Sequence, residues 1–145
     1  EIKTDGFAVA VVEWQRERLV IVGRDTLKAI GLDGSTRFEL PLGDFVLREA
    51  TTVRLGPDAR PHLAIVGAPP RNDVQRWRLL VLSPARAIVY EEIFDVPVRL
   101  LTARRGDGRD TLLLAGAVLR ALQPGGEPAV TPRAQPGTSP APSNR

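Results

Sequence analysis

Leu19-Val20-Ile21-Val22-Gly23 returns as Leu63-Ala64-Ile65-Val66-Gly67 and again as Leu112-Leu113-Leu114-Ala115-Gly116. One apolar pentad fits any buried strand; three of them, roughly 45 residues apart, point to a repeated structural unit. The flanks repeat too. A strand-like run precedes each pentad, at residues 7–14, 51–55 and 98–103. Polar connectors join the two, at residues 15–18, 56–61 and 104–110. A second run follows each pentad, at residues 27–32, 77–82 and 118–122, and ends in Asp33-Gly34, Ser83-Pro84 or Gln123-Pro124-Gly125-Gly126. In the first two copies a further run closes the unit, at residues 37–42 and 88–94. Glycine, proline and aspartate gather at the joints because they supply the backbone angles that tight turns need. The unit is therefore four strands and their turns in roughly 45 residues, the size of a four-stranded propeller blade.

Helix fits poorly. Apolar residues come in short runs or in alternation, with β-branched enrichment and regular punctuation. Only residues 46–50 suit a short helical turn, which would connect the first unit to the second. The unbroken pentads suit strands buried on both faces, and the alternating Thr36-Arg37-Phe38-Glu39-Leu40 suits an outer strand. The expected fold is all-β: a partial β-propeller of three four-stranded antiparallel blades within residues 1–125, at about 5–45, 46–95 and 96–130. The last strand, near 128–131, is weak. From residue 126 to 145 proline, glycine and serine dominate, and such a segment has too little apolar surface to offset its ordering entropy. A disordered tail is expected there.

Composition excludes several chemistries. The 145 residues contain no cysteine and no methionine, and His62 is the single histidine. Disulfides, thiolate nucleophiles, cysteine zinc sites and multi-histidine metal sites are ruled out. The missing methionine at position 1 leads us to expect a chain that begins part-way through a larger ring. Lys+Arg of 20 against Asp+Glu of 17 gives a net charge of +3. The arginines are scattered, as in Arg16/Arg18, Arg76/Arg78 and Arg104/Arg105, so a clustered nucleic-acid footprint is not expected. No apolar run approaches the ~20 residues of a membrane-spanning helix.

The stretch 19–42, with its Gly23 strand end, Leu27-Lys28-Ala29-Ile30-Gly31-Leu32-Asp33-Gly34 hairpin and Phe38-Glu39-Leu40-Pro41-Leu42 run, resembles a blade of the quinoprotein-type (PQQ-like) β-propellers. Phe38 and Tyr90 stand where such blades usually close on tryptophan. Arg105-Gly106-Asp107-Gly108-Arg109-Asp110 is similar to the blade-opening loop of FG-GAP/VCBS-type propellers, which often binds calcium. The resemblance covers about residues 7–125. It implies a propeller, a periplasmic or extracellular setting, and Asp107 and Asp110 as calcium-loop candidates.

The residues themselves argue against calcium, which wants six to eight oxygens; Arg104 and Arg105 occupy the positions where earlier carboxylates would sit. No cofactor is expected. Arg105-Gly106-Asp107 matches an adhesion tripeptide, but reads as ordinary turn chemistry. Ser35 lies in no nucleophile elbow, no phosphate-binding glycine loop is present, and His62 reads as a strand-edge residue. Glu91 and Glu92, adjacent on a strand, point to opposite faces and form no carboxylate pair. Trp14 and Trp77 are candidates for ligand stacking, with packing between blades as the alternative. Thr51, Thr52, Arg54 and Arg99 are the polar candidates for a channel-facing site, and their composition favours a polar or anionic ligand over acid–base chemistry. Two readings stay open: a non-catalytic binding or scaffolding module for a protein or polar ligand, completed by a second chain or by upstream blades, and a fragment of a propeller enzyme or cofactor-binding propeller whose catalytic residues lie elsewhere.

Overall fold

The structure, a computed structural model, describes residues 7–23, 26–43, 45–55, 60–69, 76–116, 119–122 and 129–130. Among these residues it is all-β, with twelve strands in three antiparallel sheets. The first sheet runs β1 (Phe7–Trp14), β2 (Glu17–Gly23), β3 (Thr26–Gly31), β4 (Thr36–Pro41). The second runs β5 (Val46–Arg54), β6 (Pro61–Ala68), β7 (Trp77–Leu82), β8 (Ile88–Phe94). The third runs β9 (Arg99–Arg104), β10 (Asp110–Ala115), β11 (Leu119–Leu122), β12 (Ala129–Val130). Each strand pairs with its neighbour in chain order, so every sheet is a simple meander.

The turns explain the register. Loops 31–35, 83–87 and 105–109 share one hydrogen-bond pattern: Gly31, Ser83 and Arg105 donate to the carbonyls of Ser35, Ala87 and Arg109, and Gly34, Arg86 and Gly108 donate back to Gly31, Ser83 and Arg105. The fourth residue of each loop is left-handed, with φ of 84° at Gly34, 67° at Arg86 and 78° at Gly108. Arg86 is the exception to glycine, and its guanidinium lies over the Phe38 ring, 5.4 Å from the centroid. The β1–β2 turn is shorter: Gln15 and Arg16 both have positive φ, the geometry that fits a two-residue loop to the right-handed strand twist.

Two apolar layers hold the sheets together. Between the first and second lie Val12, Trp14, Leu19, Ile21, Leu27 and Ala29 on one side and Leu47, Leu63, Ile65, Leu80 and Leu82 on the other. Between the second and third lie Val53, Ala64, Val66, Leu79 and Val81 against Val98, Leu112 and Leu114. Strand β6 thus sends Leu63 and Ile65 one way and Ala64 and Val66 the other, which accounts for its unbroken apolar sequence. Equivalent pentad positions do not always face the same neighbour. Leu19 and Ile21 face forward to the second sheet, whereas Leu63, Ile65, Leu112 and Leu114 face back. With a side-chain period of two, a one-residue offset of the first copy exchanges its faces.

The first strands of the three sheets run the same way. The start of β2's partner, Phe7, lies opposite Gly23, and Leu47 at the start of β5 fills the space beside Gly23. At the other end, Trp14 Nε1 donates to the Pro61 carbonyl at 2.7 Å, and Pro61 lies opposite Arg54. The second seam repeats this: Leu100 N–H, near the start of β9, donates to Glu49 at 2.8 Å, and Arg54 N–H, at the end of β5, donates to Asp110 at 2.8 Å.

One expectation needs correction. Residues 46–50 are not a helical turn; they belong to β5, paired from Val46↔Ala68 to Arg54↔Pro61, with a register shift between Leu47 and Glu49. That irregularity breaks the strict alternation that marks a strand. At the position of the weak last strand, Ala129 and Val130 pair with Ala121 and Arg120 as β12. Residues 126–128 and 131–145 lie outside the described residues.

Candidate functional site

The polar residues singled out in the sequence do not converge. Thr51 and Thr52 are consecutive on β5, so Thr51, opposite Ala64, faces the third sheet and Thr52, opposite Leu63, faces the first. Arg99 pairs with Glu49 near the strand starts, while Arg54 sits at the far end of β5 beside Asp110, with Nη1 3.8 Å from its Oδ2. Five residues of extended chain separate the two ends by about 16 Å. The spacing along one strand therefore divides these residues between two ends of the molecule.

Trp14 is 2% exposed, set edge-on to Phe38 with ring centroids 5.1 Å apart, and its indole N–H is satisfied by Pro61. It closes the first seam and offers no ring face to a ligand. Trp77 is half-buried against the second core and pairs across the sheet with Phe94. Asp107 caps its own turn by accepting from Arg109 N–H at 3.1 Å, with Arg105 and Arg109 guanidinia 3.7 and 3.6 Å away. Asp110 is buried and holds the Arg54 N–H and, at 3.5 Å, Arg104 Nε. Both carboxylates of the candidate calcium loop thus serve protein donors, and the described residues contain no acidic or histidine cluster of metal-binding size. His62 Nδ1 lies 3.0 Å from the Arg60 carbonyl.

Glu91 and Glu92 point to opposite faces. Glu91 takes Arg78 Nε at 2.7 Å, and Glu92 takes Tyr90 Oη and Arg120 Nη1, each at 2.5 Å. Arg120 comes from the third sheet, so this triad pins the outer strands of the second seam. Burial, then the adjoining Glu92 carboxylate, pushes the Tyr90 phenol up to about 12. It is a structural hydroxyl, protonated throughout the neutral range.

One end of the sheets has a distinct character. Because β1, β5 and β9 run together, the ends of the first and third strands of each sheet, with the described turns that follow them, fall at the same end. Arg16, Arg18, Arg37, Arg54, Arg60, Arg86, Arg104, Arg105 and Arg109 lie on or beside those turns, against Glu13, Glu17, Asp33, Asp107 and Asp110. Arg37 is committed to structure, bonded to Glu17 at 2.6 Å and Asp33 at 3.1 Å. Asp33 is held down at about 2 by the Ser35 backbone N–H, the Ser35 hydroxyl and Arg37. Arg16, Arg86 and Arg105 remain exposed at the turn tips. The scatter of arginine along the sequence hides this end, since residues far apart in order meet only through the alternation of turns. Placing each arginine on the four-strand unit is the signal that reveals it.

No helix among the described residues is long and apolar enough to cross a membrane. Comparison with protein families, curated proteins and solved structures finds no match to this chain.

Proposed function

We propose that the three sheets are blades of a β-propeller and that the chain is a non-catalytic binding module whose arginine-bearing turn end docks an acidic segment of a partner protein. The observation that carries the reading is the shared direction of β1, β5 and β9, which brings the turns of successive sheets to one end. Propellers use such loop-built ends for recognition. Guanidinia suit carboxylates because their donors form a rigid fork that carboxylate oxygens match in pairs. Single-stranded nucleic acid is the weaker fit: Trp14 is buried and Trp77 begins the strand whose start lies at the opposite end, so the arginines have neither tryptophan beside them for base stacking.

Calorimetric titration with a poly-glutamate peptide and with a single-stranded oligonucleotide of equal charge tests the reading. Saturable binding of the peptide is expected, at least tenfold weaker in an Arg86→Ala/Arg105→Ala double variant, a loss of about 1.4 kcal/mol. Absent peptide binding, binding insensitive to both substitutions, or tighter binding of the oligonucleotide contradicts it.

A further inference from the structure

The turns at 31–35 and 105–109 share one backbone pattern, yet their charges are arranged in opposite ways. In the first sheet one guanidinium serves two carboxylates: Arg37 bonds Glu17 at 2.6 Å and Asp33 at 3.1 Å. In the third sheet each carboxylate stands between two guanidinia. Asp107 lies 3.7 Å from Arg105 Nη2 and 3.6 Å from Arg109 Nε, and Asp110 lies 3.8 Å from Arg54 Nη1 and 3.5 Å from Arg104 Nε. The first arrangement is closed by short, charge-assisted bonds on both sides. The second is open. Its four contacts sit at or beyond the limit of a hydrogen bond. The backbone already uses both carboxylates, since Asp107 accepts the Arg109 N–H at 3.1 Å and Asp110 the Arg54 N–H at 2.8 Å. A guanidinium brings several donors, so one carboxylate so engaged does not satisfy two of them. Four arginines against two aspartates leave this group with a surplus of two positive charges. The Arg54 and Arg104 side chains are 41% and 67% exposed, within reach of a ligand, whereas Asp110 between them is buried.

We propose that the turn between β9 and β10, with Arg54 from the neighbouring sheet, is the anchor for the acidic segment: Arg54 and Arg104 take one of its carboxylates, and Arg105 and Arg109 take a second. This inference rests on the docking reading above and narrows it to a segment that presents two carboxylates. Asp107 and Asp110 are positioning residues. Each lets two guanidinia approach that would otherwise repel one another, and the incoming carboxylate completes the charge balance. The first of the two anchor points spans the second seam, because Arg54 belongs to β5 and Arg104 to β9.

Calorimetric titration of the full chain with poly-glutamate, and with a glycine-serine peptide of equal length bearing a single glutamate, tests this. Poly-glutamate should bind at least about tenfold more tightly, because only it fills both arginine pairs. Arg54→Gln, Arg104→Gln and Arg105→Gln should each weaken poly-glutamate binding about tenfold. Arg37→Gln removes the same charge at the same end, but from the closed arrangement, and should change binding by less than about twofold. Asp107→Asn keeps an acceptor for the Arg109 N–H while removing the competing charge, and should tighten binding about threefold or more. Thermal melting of each variant checks that it is folded during the titration. Unchanged binding in Arg54→Gln and Arg104→Gln, an equal loss in Arg37→Gln, or looser binding in Asp107→Asn overturns the anchor and leaves the docking reading standing. Equal affinity for the two peptides overturns the demand for two carboxylates. No binding of poly-glutamate by the parent chain overturns the docking reading itself, and the anchor with it.

Discussion

Arg16 sits at φ 66° in the two-residue turn after β1, next to Gln15 at φ 54°. A side chain in this region costs roughly 1–2 kcal/mol, part of which glycine returns as lost chain freedom in the unfolded state. Arg16→Gly should therefore stabilise the protein by about 0.5–1 kcal/mol in urea unfolding. Gln15 is better kept, since its amide reaches the Pro84 carbonyl on the second sheet. Asp110 is a sharper case. Its carboxylate satisfies the Arg54 N–H in the second seam, so Asp110→Ala should cost about 2–3 kcal/mol. Asp107→Ala, which removes only an exposed turn contact, should cost about 1 kcal/mol or less. Tyr90, the single tyrosine, gives a direct optical readout. Its phenol ionises at about 12 when folded, against 10.0 ordinarily, so the folded state holds that proton more tightly. Its contribution to stability is complete below pH 10 and is lost as pH rises from 10 toward 12. Phenolate absorbance should titrate near the upper value, and Glu92→Gln should lower the midpoint.

The strands divide into those whose sequence announces them and those whose pairing makes them. The pentads of β2, β6 and β10 are legible because burial selects apolar side chains; in β6, burial on both faces also leaves no polar alternation. The joints at Gly34 and Gly108 are legible because left-handed backbone favours glycine. Arg86 fills the same backbone role, and only the structure shows its ring contact with Phe38. The first half of β5 was hidden for a different reason. Val46 to Ala50 includes the register shift, so neither strict alternation nor an unbroken apolar run appears. The candidate site was less legible still, because the face and end occupied by Thr51, Arg54 and Arg99 depend on neighbouring sheets. Gly67 tests the packing of β6 against the start of β5 and the residue that leads into it. A Cβ there would lie 2.2 Å from the Val46 carbonyl oxygen and 2.8 Å from Phe45, whereas one at Gly106 meets nothing within 4 Å. Gly67→Ala should lower the unfolding free energy measured in urea by more than about 3 kcal/mol, and Gly106→Ala should change it by about 0.5 kcal/mol or less.

At the scale of the whole molecule, the second sheet is the keystone, since both apolar layers include it. Stability in such stacks comes from each unit and its contacts with immediate neighbours. The direction of the first strands decides which turns share an end and where the arginines gather. Nuclear Overhauser contacts measure that direction directly. Contacts are expected from the Trp14 indole N–H to Pro61, from Gly23 to Leu47, and from the Arg54 amide to the methylene protons of Asp110. Contacts that instead join Trp14 to Leu47, or the end of β5 to the start of β9, would mean that neighbouring first strands run in opposite directions and would contradict it.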